Sequence, residues 1–272
     1  MDASVRAVAG YGAALAMTPY LLIKVSWVAV GLGSPAATGA VVLNTVTIGM
    51  AAAGIALALA LVRPWGERIP ALPVLACAWI GGGFLIPMLP YAIVDSLISP
   101  PGADPAMPAW EYPLLQASFL GMGAGLAVAL PLYLRARWPA AFEGRAGDHP
   151  APVRPIPALS GAAALILFDV YQAAGGVTGT SERLQAGNAA LWTLGGAWGL
   201  WALTRTRPGP PRWAPLTVTW LASGFLVAWS AWKLPFALLG VIESGPLETA
   251  HLALGIVVGA VMLRAVTKRP PA

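Results

Sequence analysis

Residues 20–31 read YLLIKVSWVAVG, an apolar run interrupted by one lysine, Lys24. The run is the latter part of a longer apolar stretch that extends from about residue 8 to residue 31. Crossing a bilayer as a helix takes roughly 20 apolar residues, so the stretch reads as a membrane span with a charge inside it. Further stretches of this kind fall at 41–62, 71–94, 111–134, 157–176, 185–204, 214–240 and 249–266. The fold expected is an all-α integral membrane protein with eight transmembrane helices.

Composition agrees. Of the 272 residues 58% are hydrophobic and only 10% charged, whereas soluble domains carry about 25% charged residues. The net charge of +5 does not indicate a nucleic-acid partner, because Lys and Arg are spread over short loops and do not cluster on a folded surface. Membrane lipids are the partners expected. The single cysteine, Cys77, excludes an intrachain disulfide and is expected to be a small core residue.

The basic residues also set the orientation. Arg6, Arg63, Arg68, Arg135, Arg137, Arg145, Arg154, Arg205, Arg207, Arg212, Arg264, Lys268 and Arg269 fall on one side of the eight spans, and only Arg183 on the other. By the positive-inside rule both termini are cytoplasmic, as in a multi-pass protein of a cell membrane such as the bacterial inner membrane. The opposite loops carry Asp95, Asp104, Glu111, Glu182, Glu243 and Glu248. Trp65, Trp110, Trp138 and Trp213 stand at span ends, the depth that indole rings favour. The first apolar stretch is too long for the core of a signal peptide.

Four similarities recur at nearly one spacing. KVSWVAVGLGS at 24–34 aligns with DVYQAAGGVTG at 169–179, LPYA at 89 with LPFA at 234, Asn44 with Asn188, and GFL at 83 with GFL at 224. They suggest a parallel repeat of two four-helix halves, residues 1–135 and 156–272, joined by a cytoplasmic linker at 136–155. Lys24 then corresponds to Asp169, and Met88 to Lys233.

Lys24, Asp169 and Lys233 each lie about seven residues from the outer end of a span, roughly 10 Å deep at 1.5 Å per residue. Charges within spans are costly and face partners or a site. Residues three or four apart share a helix face, which places Tyr20 and Trp27 beside Lys24, Gln172 beside Asp169, and Trp229, Ser230 and Phe236 beside Lys233. Two lysines and one aspartate leave an excess positive charge, to be met by Asp95, Glu111, Glu243 or a bound anion.

The function expected is therefore a membrane-embedded binding or transport protein for a small anionic or amphipathic molecule. Lys24, Trp27, Asp169, Gln172, Trp229 and Lys233 are its ligand-binding residues, and Asp169 carries the proton if transport is proton-coupled. The alternative is a membrane enzyme of the isomerase or cyclase type on a lipid-like substrate, with Asp169 as general acid and Tyr20, Trp27, Tyr171 and Trp229 shaping an apolar cavity. A structural or regulatory subunit, with Lys24 and Asp169 as a clasp, is the third reading. No P-loop, dinucleotide-binding or zinc-protease motif is present. His251 has no second intramembrane histidine for a metal site and His149 falls in the linker, so neither metal nor cofactor is expected. Pro73, Pro87, Pro90, Pro131 and Pro235 would kink spans, and Gly121, Gly123, Gly125, Gly255 and Gly259 have the spacing of close helix contact.

Overall fold

The computed structural model describes residues 2–32, 38–98, 108–148, 150–240, 242 and 244–267. Asp104, His149, Glu243, Lys268 and Arg269 lie outside the described residues. The fold is helical, one of the two ways a chain in lipid satisfies its own backbone. The elements are α1 (Asp2–Gly31), α2 (Thr38–Ala60), the short α3 (Pro64–Arg68), α4 (Ala71–Ile98), α5 (Glu111–Arg137), a 3₁₀ turn (Pro139–Phe142), α6 (Pro155–Tyr171) running into a π turn (Gln172–Gly176), α7 (Thr180–Thr204), α8 (Trp213–Leu238) and α9 (Pro246–Thr267). Trp65, Trp110, Trp138 and Trp213 all sit in or beside the first or last turn of a helix.

Among the described residues seven helices are long and apolar enough to cross a membrane, the pattern of a multi-pass membrane protein. Their large side chains point outward without cover, Val30 at 83% and Leu97 at 79% exposure, as on surfaces that meet a membrane or another protein. The remaining long helix is α7. It opens with the polar stretch TSERLQAGN and carries Gly187, Gly195, Gly196 and Gly199, so its apolar content falls short of the other seven.

Two compact units form. Unit one comprises Met1–Ala78 and Ala92–Arg137, and unit two comprises Trp79–Tyr91 and Trp138–Ala272. Within unit one α1 packs along α5 and α2. The glycines of α5 allow this: a Cβ on Gly121 would stand 2.5 Å from Ala16 Cβ, and one on Gly125 2.6 Å from the Ala9 carbonyl oxygen. At the other end of α1, Arg137 and Tyr133 of α5 both donate to the Gly66 carbonyl, at 3.2 and 3.0 Å, and Arg137 also donates to the Ile69 carbonyl at 2.7 Å. These bonds satisfy carbonyls that the five-residue α3 leaves open at its end.

Unit two has a core of Ala158, Ala162, Leu165, Leu200, Leu226, Val258, Met262 and Ala265 from α6 to α9. The middle of α4 joins it through specific bonds. Trp79 Nε1 donates to Ser223 Oγ at 2.9 Å, and Asn188 Nδ2 donates to the Pro87 carbonyl at 3.0 Å. Between them the two GFL segments meet glycine to glycine, and a Cβ on Gly83 would lie 2.6 Å from Gly224 Cα. On α9, Gly259 passes within 2.9 Å of the Ser223 carbonyl by the same measure, and Gly255 meets the Ser230 hydroxyl. The linker is held by backbone bonds from Ala146 to Pro210 and from Gly209 to Ala146, at 3.0 and 2.7 Å.

One expectation fails. Cys77 is exposed, not a core residue, because it lies on an outward face of α4. When all faces of a helix are apolar, the sequence does not mark which face meets protein and which meets lipid. Pro73 falls in the first turn of α4, where its missing N–H costs nothing, while Pro87, Pro90, Pro131 and Pro235 lie inside helices, as does Pro19.

Candidate functional site

In unit one the face of α1 that carries Tyr20, Lys24 and Trp27 builds a charged cluster. The Lys24 ammonium donates to Asn44 Oδ1 on α2 at 2.9 Å. It lies 3.9 Å from the centroid of the Trp27 ring and 5.5 Å from that of Tyr20. The edge of the same indole donates from Nε1 to Glu111 Oε2 at 2.9 Å. Trp27 thus stands between a cation on its face and a carboxylate on its rim, polarised by both. Glu111 is only 5% exposed and is the first residue of α5, where the helix dipole favours a negative charge. Tyr20 is fixed by an edge-on contact with Phe119, ring centroids 5.0 Å apart.

In unit two Asp169 is buried near the end of α6, and its partner is His251 on α9. His251 Nε2 and Asp169 Oδ1 are 3.4 Å apart, with side-chain exposures of 17% and 8%. The imidazole also rests on the Phe168 ring at 4.5 Å between centroids. Three residues past Asp169 the α-helix gives way to the π turn, which closes at Gly175 with φ 134° and ψ 9°. This is a conformation that side-chain-bearing residues rarely adopt. Gln172 belongs to that turn, and its amide oxygen folds over Gly176. Arg183 ties down the segment after it by donating from Nε to the Val177 carbonyl at 2.9 Å.

Lys233, on α8, has its ammonium 4.3 Å from the centroid of the Trp229 ring. That ring also stacks with Phe84 and with Phe225, at 6.0 and 6.5 Å between centroids and 17° and 19° between planes. Among the described residues no carboxylate lies within ion-pair distance of Lys233.

The six residues singled out from sequence therefore divide. Lys24 and Trp27 belong to unit one, while Asp169, Gln172, Trp229 and Lys233 belong to unit two. Both lysines have the tryptophan that helical spacing placed beside them. Asn44 and Asn188 each bond to a neighbouring helix. Sequence reasoning missed His251, which it weighed only as a metal ligand. The usable signal was depth, since His251 lies near the start of α9 and Asp169 near the end of α6, helices that run side by side in opposite directions. Among the described residues no cluster of three potential metal ligands forms. Neither a protein-family model, nor a curated protein, nor a solved structure matches the chain.

Proposed function

We propose that the chain is an eight-span membrane protein with both termini in the cytoplasm, built as a parallel repeat of two four-helix halves, which binds or transports a small anionic or amphipathic molecule. The site assigned is in unit two, in the outer half of the bilayer, with Lys233 as the ligand's counter-charge and Trp229 as the wall beside it. Asp169 and Gln172 complete it. Lys24 and Trp27 are the corresponding pair of unit one.

The observation that carries this reading is the difference between the two lysines. Lys24 has a hydrogen-bond acceptor in Asn44 and, across Trp27, the carboxylate of Glu111. Lys233 rests on an aromatic face with no carboxylate at ion-pair distance among the described residues, and only the more distant Glu248 and Glu182 act on its charge. A cation within a membrane span is costly unless something answers its charge, and a carboxylate or phosphate on a small molecule would do so. The stacked rings of Trp229, Phe84 and Phe225 suit an apolar body attached to that anion.

The test is retention. Small molecules extracted from wild-type protein purified in mild detergent are expected to include a stoichiometric acid or amphiphile, visible by mass spectrometry. Lys233→Met should remove it, and Lys233→Arg should keep it. Identical extracts from wild type and Lys233→Met would sink the reading. Topology has its own check: green fluorescent protein fused to either terminus should fluoresce, and a dark fusion at one end would mean an odd number of spans.

A membrane enzyme on a lipid-like substrate remains the second reading, favoured by the contact of Asp169 with His251, since a carboxyl and an imidazole in contact are equipped for acid–base work. Recovery of an extracted ligand chemically altered after incubation with wild type, and unaltered with Asp169→Asn, would move the assignment there.

A further inference from the structure

We propose that Asp169 and His251 form a proton-binding site in which one exchangeable proton is held between Oδ1 and Nε2. The inference rests on the reading of unit two as the functional unit and adds to it the species that the site couples to. Its geometry is direct: the two atoms are 3.4 Å apart, and both side chains are largely enclosed.

The chemistry follows from charge. With no proton between them, the pair is a carboxylate beside a neutral imidazole and carries one negative charge. With one proton, on either atom, it carries none in sum. Burying a net charge costs far more than burying a neutral hydrogen-bonded pair, so gain or loss of that proton changes the charge enclosed between the end of α6 and the start of α9 by a full unit. Only an O–H or N–H bond is made or broken, and the proton comes from and returns to water. A carboxylate clamped by a lysine or arginine would not behave this way, because its counter-charge would be permanent.

Other charged groups on the packed elements have different positions or occupations. Glu182 and Arg183 are at the start of α7, where Arg183 is occupied with Val177. On α9, Glu248 stands in the first turn, where its carboxylate accepts from the Gly245 amide at 3.2 Å, and Arg264 lies in the last turn. Lys233 on α8 lies over Trp229. Arg205 ends α7 at the opposite side of the membrane from Asp169. His251 is thus the titratable group in direct contact with Asp169.

The π turn gives the site somewhere to act. Asp169 is in the last turn before the regular α-helical ladder of α6 is interrupted at Gln172–Gly176, and π turns of this kind recur where helices bend for function. A charge change at Asp169 acts at the end of α6, one turn before its α-helical ladder changes register.

The chain has two histidines, His149 and His251, which makes the experiment simple. Protein labelled with ¹⁵N-histidine in lipid nanodiscs gives two sets of ring-nitrogen signals, and His149→Ala leaves only those of His251. These signals are expected to change with pH. In Asp169→Asn the pH of that change should move by about one unit or more, a tenfold change in proton concentration. If the Asn variant does not fold, infrared spectra of ¹³C-aspartate protein should show a carboxyl band that appears and vanishes with pH and shifts in His251→Gln. The proposal is overturned if the His251 signals titrate alike with and without the aspartate, or if no carboxyl band responds to pH. Neither readout needs a ligand, so they stand apart from the fate of the Lys233 reading.

Discussion

Replacing Gly224 by leucine is expected to destroy the packing of unit two, at a cost of about 3 kcal/mol or more, the upper end for overpacked positions. A side chain there would start with a Cβ in collision with the Trp79 carbonyl oxygen and 3.0 Å from Gly83 Cα. Both obstacles are backbone, and backbone cannot swing aside as a flexible side chain can. Relief would require α4 and α8 to separate at this level. That movement would pull Trp79 Nε1 away from Ser223 Oγ and unstack Phe84 from Trp229, so the damage spreads along the crossing. Gly12→Ala makes the control. Nothing lies within 4 Å of a Cβ at Gly12, and alanine is the better helix former by about 1 kcal/mol. Thermal unfolding in detergent, followed by size-exclusion chromatography, should place the two variants on opposite sides of wild type. A Gly224→Leu protein as stable as wild type would mean that α4 and α8 do not cross there.

The second large effect is expected at Trp27, where one residue serves two charges. Trp27→Phe keeps a ring beneath the Lys24 ammonium but deprives Glu111 of its N–H donor, a loss of about 1.5–3 kcal/mol for a bond to an ionised group. Trp27→Leu removes the ring as well and leaves a buried acid and a half-buried ammonium without the group between them. The penalty should reach about 3–5 kcal/mol, as when one member of a buried charged network is deleted. The step between the two variants reads the cation–ring contact, expected at about 0.5–2 kcal/mol. Equal stability of the Phe and Leu variants would show that the ring face contributes nothing.

These clusters also show what the sequence made legible. Apolar length located each long helix, most ends closely but the polar first turns of α1 and α7 not at all, because only apolar residues give the signal. Helical spacing correctly paired Lys24 with Trp27 and Lys233 with Trp229. Glycine spacing marked the contacts of α5 with α1 and of α9 with α8. What stayed hidden depends on neighbours in space. Asp169 was matched by depth to the lysines, yet the titratable group in contact with it is His251, an uncharged residue in a formal count. Glu111 was one of several acids near the outer ends, and only the rim of an indole from another helix singles it out. Cys77 misled because an apolar helix surrounded by lipid has no polar face to show which side is inside. The polar opening of α7 and its glycines likewise weaken an apolar signal that length alone had carried.

The cluster around Lys24 has a consequence for the order in which the chain is made. Asn44 follows Lys24 by 20 residues, whereas Glu111 follows Trp27 by 84. At roughly 5 to 20 residues per second, the interval between synthesis of Asn44 and that of Glu111 is roughly 3 to 13 seconds. Within that interval α2 is completed at Ala60, whereas α5 begins only with Glu111. The ammonium must therefore be received in the bilayer first by a neutral amide and an aromatic face, and only later by an opposite charge. Asn44 is in this sense an insertion partner, holding Lys24 at its depth until the helix that neutralises it has been made.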